Sequence, residues 1–373
     1  MSIIADPNMK KIFKQELQAL NKHKLFAEDT SLSEHELRQH YQDLVRNYHS
    51  LLQGSIKITS IGDINQKKLV DNLSLSLEEH AKYLETLLHA YGRFVPHSFL
   101  ELLNKDSIID LKLGDHIQQE MTVLFADIRS FTALSETMTP KENFDFVNAF
   151  LHRVGPVIRT HGGIIDKYIG DAVMALFPNS PDNAIKAAIN MQRKVTEYNK
   201  QRHKKGFKPI AIGIGLHTGN LILGIVGEAE RMNSTVIADA VNLASHLERA
   251  TKYYGAGVLV SEHTIKRLKN PNLFKIRFLD KVQVKGKQQS VNIYQIIDKF
   301  DTIFSCPTIN LTLWQTAVEL YFDQKLSEAL PLFQDILQQN PNDCSAKLYI
   351  ERINQLINTH SNQDWYKISI TEN

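Results

Sequence analysis

Leu37, Tyr41, Leu44, Tyr48 and Leu51 recur at alternating spacings of four and three. After a break at Ile61-Gly62-Asp63 the stripe resumes through Val70, Leu73, Leu77, His80, Leu84, Leu87 and Tyr91. Heptad spacing of this kind predicts long amphipathic helices, which serve either to pack on their own domain or to form a parallel coiled coil. Ser31-Leu32-Ser33-Glu34 offers a capping box ahead of the stripe, and Pro96 stops the helix behind it. From about residue 118 the pattern changes. Met121 to Phe125 is an apolar strand ending in Ala126-Asp127. Phe144, Val147, Phe150, Leu151, Val154 and Ile158 then mark an amphipathic helix closed by His161-Gly162-Gly163. Strands at 164–169 and 172–177 flank a tight Gly170-Asp171 turn, and a helix runs from Pro181 to about His203. Paired strands at 210–216 and 221–226, joined by a Thr218-Gly219-Asn220 hairpin, precede a helix at 239–254. Helices alternating with hairpins predict an α+β sheet covered on one face by helices.

Residues 308 to 360 return to a helical pattern, in which Ala329, Phe333 and Pro341 keep the spacing of a tetratricopeptide unit. A single unit cannot bury its face on a neighbour of its own kind. A C-terminal helical hairpin docked on the sheet or on a dimer is favoured over a peptide-capturing repeat. Three regions result: a helical one at 1–110, a mixed one at 118–298, and a helical hairpin at 305–360.

Composition narrows the classes. Lys and Arg number 43 against 41 Asp and Glu, and that balance excludes a dedicated nucleic-acid binder. The two cysteines, Cys306 and Cys344, cannot build a disulfide framework and fit a reducing compartment. No apolar run follows the N-terminal lysines, so no signal peptide is expected. The stretch from Pro209 to Gly227 lacks charge, but five glycines and His217 interrupt it. A soluble, cytoplasmic protein without a membrane span is expected.

Asp127 ends a strand and Asp171 sits at a hairpin tip. Carboxylates at adjacent strand ends are costly without a cation, and oxygen ligands at a sheet edge suit Mg²⁺ or Mn²⁺. By itself the pair is a weak signal, because turn and capping aspartates are common. Its surroundings decide more. Phe125-Ala126-Asp127-Ile128-Arg129-Ser130-Phe131-Thr132, Asp166-Lys167-Tyr168-Ile169-Gly170-Asp171-Ala172, Gly215-Leu216-His217-Thr218-Gly219 and Val241-Asn242-Leu243-Ala244-Ser245 occur in that order. Together they resemble the catalytic domain of class III adenylate and guanylate cyclases, over about residues 118 to 298. The related diguanylate cyclases would carry Gly-Gly-Asp/Glu-Glu-Phe at the hairpin, where this chain reads Ile169-Gly170-Asp171-Ala172-Val173.

The resemblance implies a ferredoxin-like catalytic domain and a two-metal phosphoryl transfer. Asp127, Asp171 and the Ile128 carbonyl would hold two Mg²⁺ or Mn²⁺ ions. The backbone N–H groups of Ser130, Phe131 and Thr132 would cradle the β- and γ-phosphates. Lys287 would reach the γ-phosphate or else be solvated surface. Lys167 and Thr235 would face the purine: lysine donates to N1 of adenine, and the threonine hydroxyl accepts from the 6-amino group, which selects ATP. Threonine at that position resembles a subgroup often stimulated by bicarbonate. Asn242 would orient the ribose. Where the family places a transition-state arginine, this chain has His246, an ordinary imidazole that is mostly neutral at pH 7. Either Arg249, seven residues beyond Asn242, reaches back, or His246 serves when protonated; Arg249 as plain surface is the alternative. Because the family builds each pocket from two chains, the expectation is a homodimer aligned by the N-terminal heptads. An upstream signalling partner would act through residues 1–110. The competing reading is a cyclase-like regulatory dimer that binds nucleotide but turns over negligibly because of His246.

Overall fold

Ser33 starts the first long helix: Glu36 N–H donates to Ser33 Oγ at 3.3 Å, and Ser33 N–H donates to Glu36 Oε2 at 2.9 Å. This capping box lies two residues beyond the expected Ser31–Glu34 pair, whose Ser31 is outside the described residues. The computed structural model describes Lys14, Gln18 and residues 33–59, 64–92, 97–228, 230–284, 290–298, 310–359 and 368–370. It divides into two units, residues 1–117 with 224–234, and residues 118–223 with 235–373.

The first unit carries α1 (Glu34–Thr59), α2 (Ile64–Tyr91) and α3 (His97–Leu102). Tyr41, Leu44 and Tyr48 are half-buried on α1. On α2 the stripe is open, with Leu84 50% and Tyr91 58% exposed. Residues 93–96, with the expected stop at Pro96, lie outside the described residues. Among the described residues no helix is long and apolar enough to cross a membrane.

The sheet is built from β1 (His116–Ile128), β2 (Ile164–Ile169), β3 (Ala172–Phe177), β4 (Ile212–Glu228), β5 (Arg231–Ile237), β6 (Val258–Ser261), β7 (Lys275–Val284), β8 (Ser290–Ile297) and β9 (Ile368–Ile370). Its order is β2-β3-β1-β4-β6-β8-β7-β9, with β5 on β4. The helices of the second unit are α4 (Phe131–Ser135), α5 (Pro140–Thr160), α6 (Pro181–Lys204), α7 (Asp239–Tyr254), α8 (Glu262–Lys266), α9 (Leu311–Phe322), α10 (Leu326–Gln339) and α11 (Cys344–Thr359). A capping box of Thr139 and Glu142, with Pro140 in the first turn, sets the start of α5.

Three expectations are corrected. First, Thr218-Gly219-Asn220 is no hairpin: β4 runs unbroken from Ile212 to Glu228. The residues that resemble a turn find distant partners instead, Thr218 Oγ1 bonding Thr122 Oγ1 at 2.8 Å and His217 Nδ1 bonding Ser261 Oγ at 2.7 Å. Second, helices cover both faces of the sheet. Val258 and Val260 join α5 and α6 in one core, while Leu259 between them joins α7 and α9–α11 in another, as the period-two alternation of a strand requires. Third, the C-terminal segment forms three helices rather than a hairpin. Phe333 stacks on Tyr349 at 4.7 Å, and Trp314 Nε1 donates to Phe278 O at 2.6 Å, so the segment is part of the second unit's core.

Candidate active site

The register of β1 and β3 pairs Ala126 with Val173, which brings the Asp127 end of β1 beside the turn that carries Asp171. Gly170 makes that turn at φ +64°, a conformation that costs glycine nothing. Asp127 Oδ1 accepts from Ile128 N–H at 2.9 Å. Asp171 Oδ2 is buried with no hydrogen-bond partner. Burial, and then the neighbouring Asp127 carboxyl, push the Asp171 carboxyl up to about 7. An orphaned buried carboxylate oxygen beside a second carboxylate is a pair in need of a cation.

Among the described residues no three His, Cys, Asp or Glu side chains cluster as a metal cage. Two carboxylates nevertheless fit Mg²⁺, which binds through one or two of them and completes its shell with water and substrate phosphate. Next to the pair, Ser130 adopts φ 55° and caps α4, whose first N–H groups have no intrahelical acceptor. Phe131 anchors the turn by stacking on Phe146 at 6.3 Å.

The remaining expected residues lie on other elements. Lys167 on β2 holds its Nζ 3.3 Å from Asp166 Oδ2, and the Asp166 side chain is almost wholly buried beneath it. Thr235 is half-buried on β5. Asn242, His246 and Arg249 fall on one side of α7, with Asn242 and Arg249 exposed and His246 half-buried. Lys287 lies outside the described residues.

The site also contains a pair that sequence reasoning missed. Glu248 turns inward from α7; burial and the charge of Asp127 push its carboxyl up to about 7, against the pull of Arg129 and Arg249. Arg129 faces it and donates from Nη2 to Ala256 O at 2.6 Å. Glu248 gets inside because α7 rides on glycines. A Cβ on Gly213 would lie 2.7 Å from Glu248 Oε1, and one on Gly215 would strike the backbone of Ala244 and Glu248. Glycines two apart on one strand, Gly213 and Gly215, were the signal for this close approach.

Residues 115–298 match the adenylate and guanylate cyclase catalytic domain. These residues are a class III nucleotidyl cyclase domain. The chain is 38% identical over 280 residues to an adenylate cyclase of Anabaena cylindrica, an alignment covering 70% of this chain and 55% of that protein. It is 38% identical over 285 residues to the terminal-differentiation specific adenylate cyclase of Dictyostelium discoideum, covering 74% of this chain and 13% of that one. The chain thus spans about half the length of the first relative and a small part of the second. A solved bacterial light-regulated adenylyl cyclase shares the fold, with a TM-score of 0.50 at 22% identity over 63% of this chain and 66% of that one. The cyclase domain of this chain accordingly carries its acidic pair at the β1 end and the β2–β3 turn.

Proposed function

We propose that the chain is an adenylate cyclase, converting ATP to 3′,5′-cyclic AMP and pyrophosphate at the interface of a homodimer in the cytoplasm. The observation that carries this reading is the half-buried Asp127–Asp171 pair, in which Asp171 Oδ2 is buried and orphaned. Asp127, Asp171 and the Ile128 carbonyl would hold two divalent cations, Mg²⁺ or Mn²⁺. When bound, such ions lower the pKa of the ribose 3′-hydroxyl and neutralise the pyrophosphate leaving group. The reaction forms the O3′–Pα bond and breaks the bond from Pα to the bridging oxygen of pyrophosphate.

The other roles fall to the chain itself. N–H groups at the start of α4 receive the β- and γ-phosphates, and Lys287 neutralises the γ-phosphate. Lys167, steadied by Asp166, and Thr235 read the adenine edge. Asn242 orients the ribose, and Arg249 or protonated His246 faces the transferring phosphate. The metal residues and the base-reading residues come from opposite protomers, which the apolar stripe of α1 and α2 aligns as a parallel coil. In this arrangement residues 1–110 receive a signal, 118–298 catalyse, and 305–360 brace the domain; bicarbonate is the candidate effector.

His246 favours one second reading, a nucleotide-binding regulatory dimer of negligible turnover, because losing an electrostatic donor costs about 10²–10³ in rate. Incubating purified protein with ATP or GTP and Mn²⁺ or Mg²⁺ separates the two. Cyclic AMP and pyrophosphate from ATP are expected. Cyclic GMP in preference would overturn the substrate assignment, and no product with either metal would leave the regulatory dimer.

A further inference from the structure

The loop that ends α7 is gripped from two sides. Gly255 closes the helix at φ +62°, its N–H bonded to Thr251 O. On the inner side, Ala256 O accepts from the Arg129 guanidinium at 2.6 Å, two residues beyond Asp127. On the outer side, α11 begins against the same loop. Ser345 Oγ donates to Tyr254 O at 2.9 Å, and a Cβ on Gly255 would come 2.6 Å from Cys344 Sγ. The first turn of the C-terminal helix and the acidic end of β1 therefore hold carbonyls on either side of one glycine.

We propose that the first turn of α11 is a positioning element for the active site: by fixing Tyr254–Ala256 it fixes the Arg129 guanidinium, and with it the Asp127 end of β1 and the α7 helix. Ser345 and Cys344 touch no reacting atom; they act through the loop. The C-terminal helices are then a working part of the catalytic frame rather than a peptide-capturing repeat. This inference rests on the cyclase reading.

The test uses full-length protein and an inserted clash that a second substitution relieves. In Gly255→Ala the new methyl group pushes against Cys344, and the expected result is a kcat about tenfold lower, with KM for ATP within about twofold, because sub-ångström displacements near the chemistry act on the transition state. Adding Cys344→Gly removes the obstacle and should return kcat to within about threefold of wild type, the residue being the left-handed backbone cost at position 255. A double variant as slow as Gly255→Ala alone would overturn the proposal, since backbone strain would then account for the whole loss. An unchanged kcat in Gly255→Ala would overturn it too. Should Gly255→Ala fail to fold, Ser345→Ala decides: loss of one buried hydrogen bond predicts a fall in kcat of about threefold with KM unchanged, alongside a modestly lowered unfolding midpoint. No change in kcat there counts against the inference. Absence of cyclic product from the wild type would be a failure of the cyclase reading instead. Hydrogen exchange at the amides of residues 126–130 then reads the proposal: faster in Gly255→Ala and restored by Cys344→Gly supports it, and no difference overturns it.

Discussion

Two clusters of charge in the second unit are balanced in opposite ways. Where α9–α11 meet β7, the charges balance. Arg277 and Asp343 pair at 2.9 Å with both side chains 1% exposed, Trp314 lies 3.4 Å over the Arg277 guanidinium, and Arg352 meets Asp280 at 2.6 Å. At the β1 end, Asp127 and Asp171 adjoin each other and both act on Glu248, which Arg129 faces, with Arg249 exposed nearby. There the acids outnumber the buried base. Balanced buried charge fixes a docking geometry, whereas a surplus of one sign marks a place kept ready for a ligand of the other sign.

Breaking the balanced side should have the largest effect. Asp343→Ala leaves Arg277 buried and unpaired, which should destabilise the protein by about 3–5 kcal/mol in urea denaturation. A loss under about 1 kcal/mol would mean that the C-terminal helices do not stay docked on β7 in solution. On the surplus side the same kind of change should have the reverse sign. Asp171→Asn removes one of two adjoining acids, so the metal-free protein at pH 8 should gain on the order of 1 kcal/mol, discounted for solvent screening, while cyclase activity falls by 10²–10³ or more, roughly. A destabilised variant would show that the pair is structural.

A smaller effect separates proton from cation. Asp171 and Glu248 have folded pKa values raised to about 7 from ordinary values of 3.8 and 4.5. A raised acid contributes its stability below the unfolded value and loses it as pH climbs through the folded one. The metal-free protein should therefore melt lower at about pH 8 than at about pH 5.5. Saturating Mn²⁺ should raise the midpoint more at the higher pH, since cation and proton compete for the same oxygens. Equal metal effects at both pH values in calorimetry would count against Asp171 as a ligand.

Much of this arrangement could be read from local pattern. The 3.6-residue period located α5, α6 and α7, and Gly170-Asp171 located the β2–β3 turn that carries the second acid. What escaped was set by partners far along the chain. Thr218 and Gly219 have turn chemistry, yet Thr122, 96 positions away, satisfies the Thr218 hydroxyl inside a continuous strand. The role of Arg129 depends on a carbonyl 127 positions on, and Glu248 has an unremarkable place in an amphipathic helix until the glycine strand draws it inward. The C-terminal segment showed its helices in Ala329 and Phe333, but its docking depends on Arg277 and Phe278 in β7, which carry no local mark of a helix partner.

The bare track of Gly213 and Gly215 has a mechanical consequence. At these two positions α7 packs directly on bare strand backbone. A side chain at either position would push the helix off the strand and carry Glu248 away from Arg129 and Asp127. The inward place of one acidic side chain is thus written into two positions of the opposing strand that carry no side chain at all.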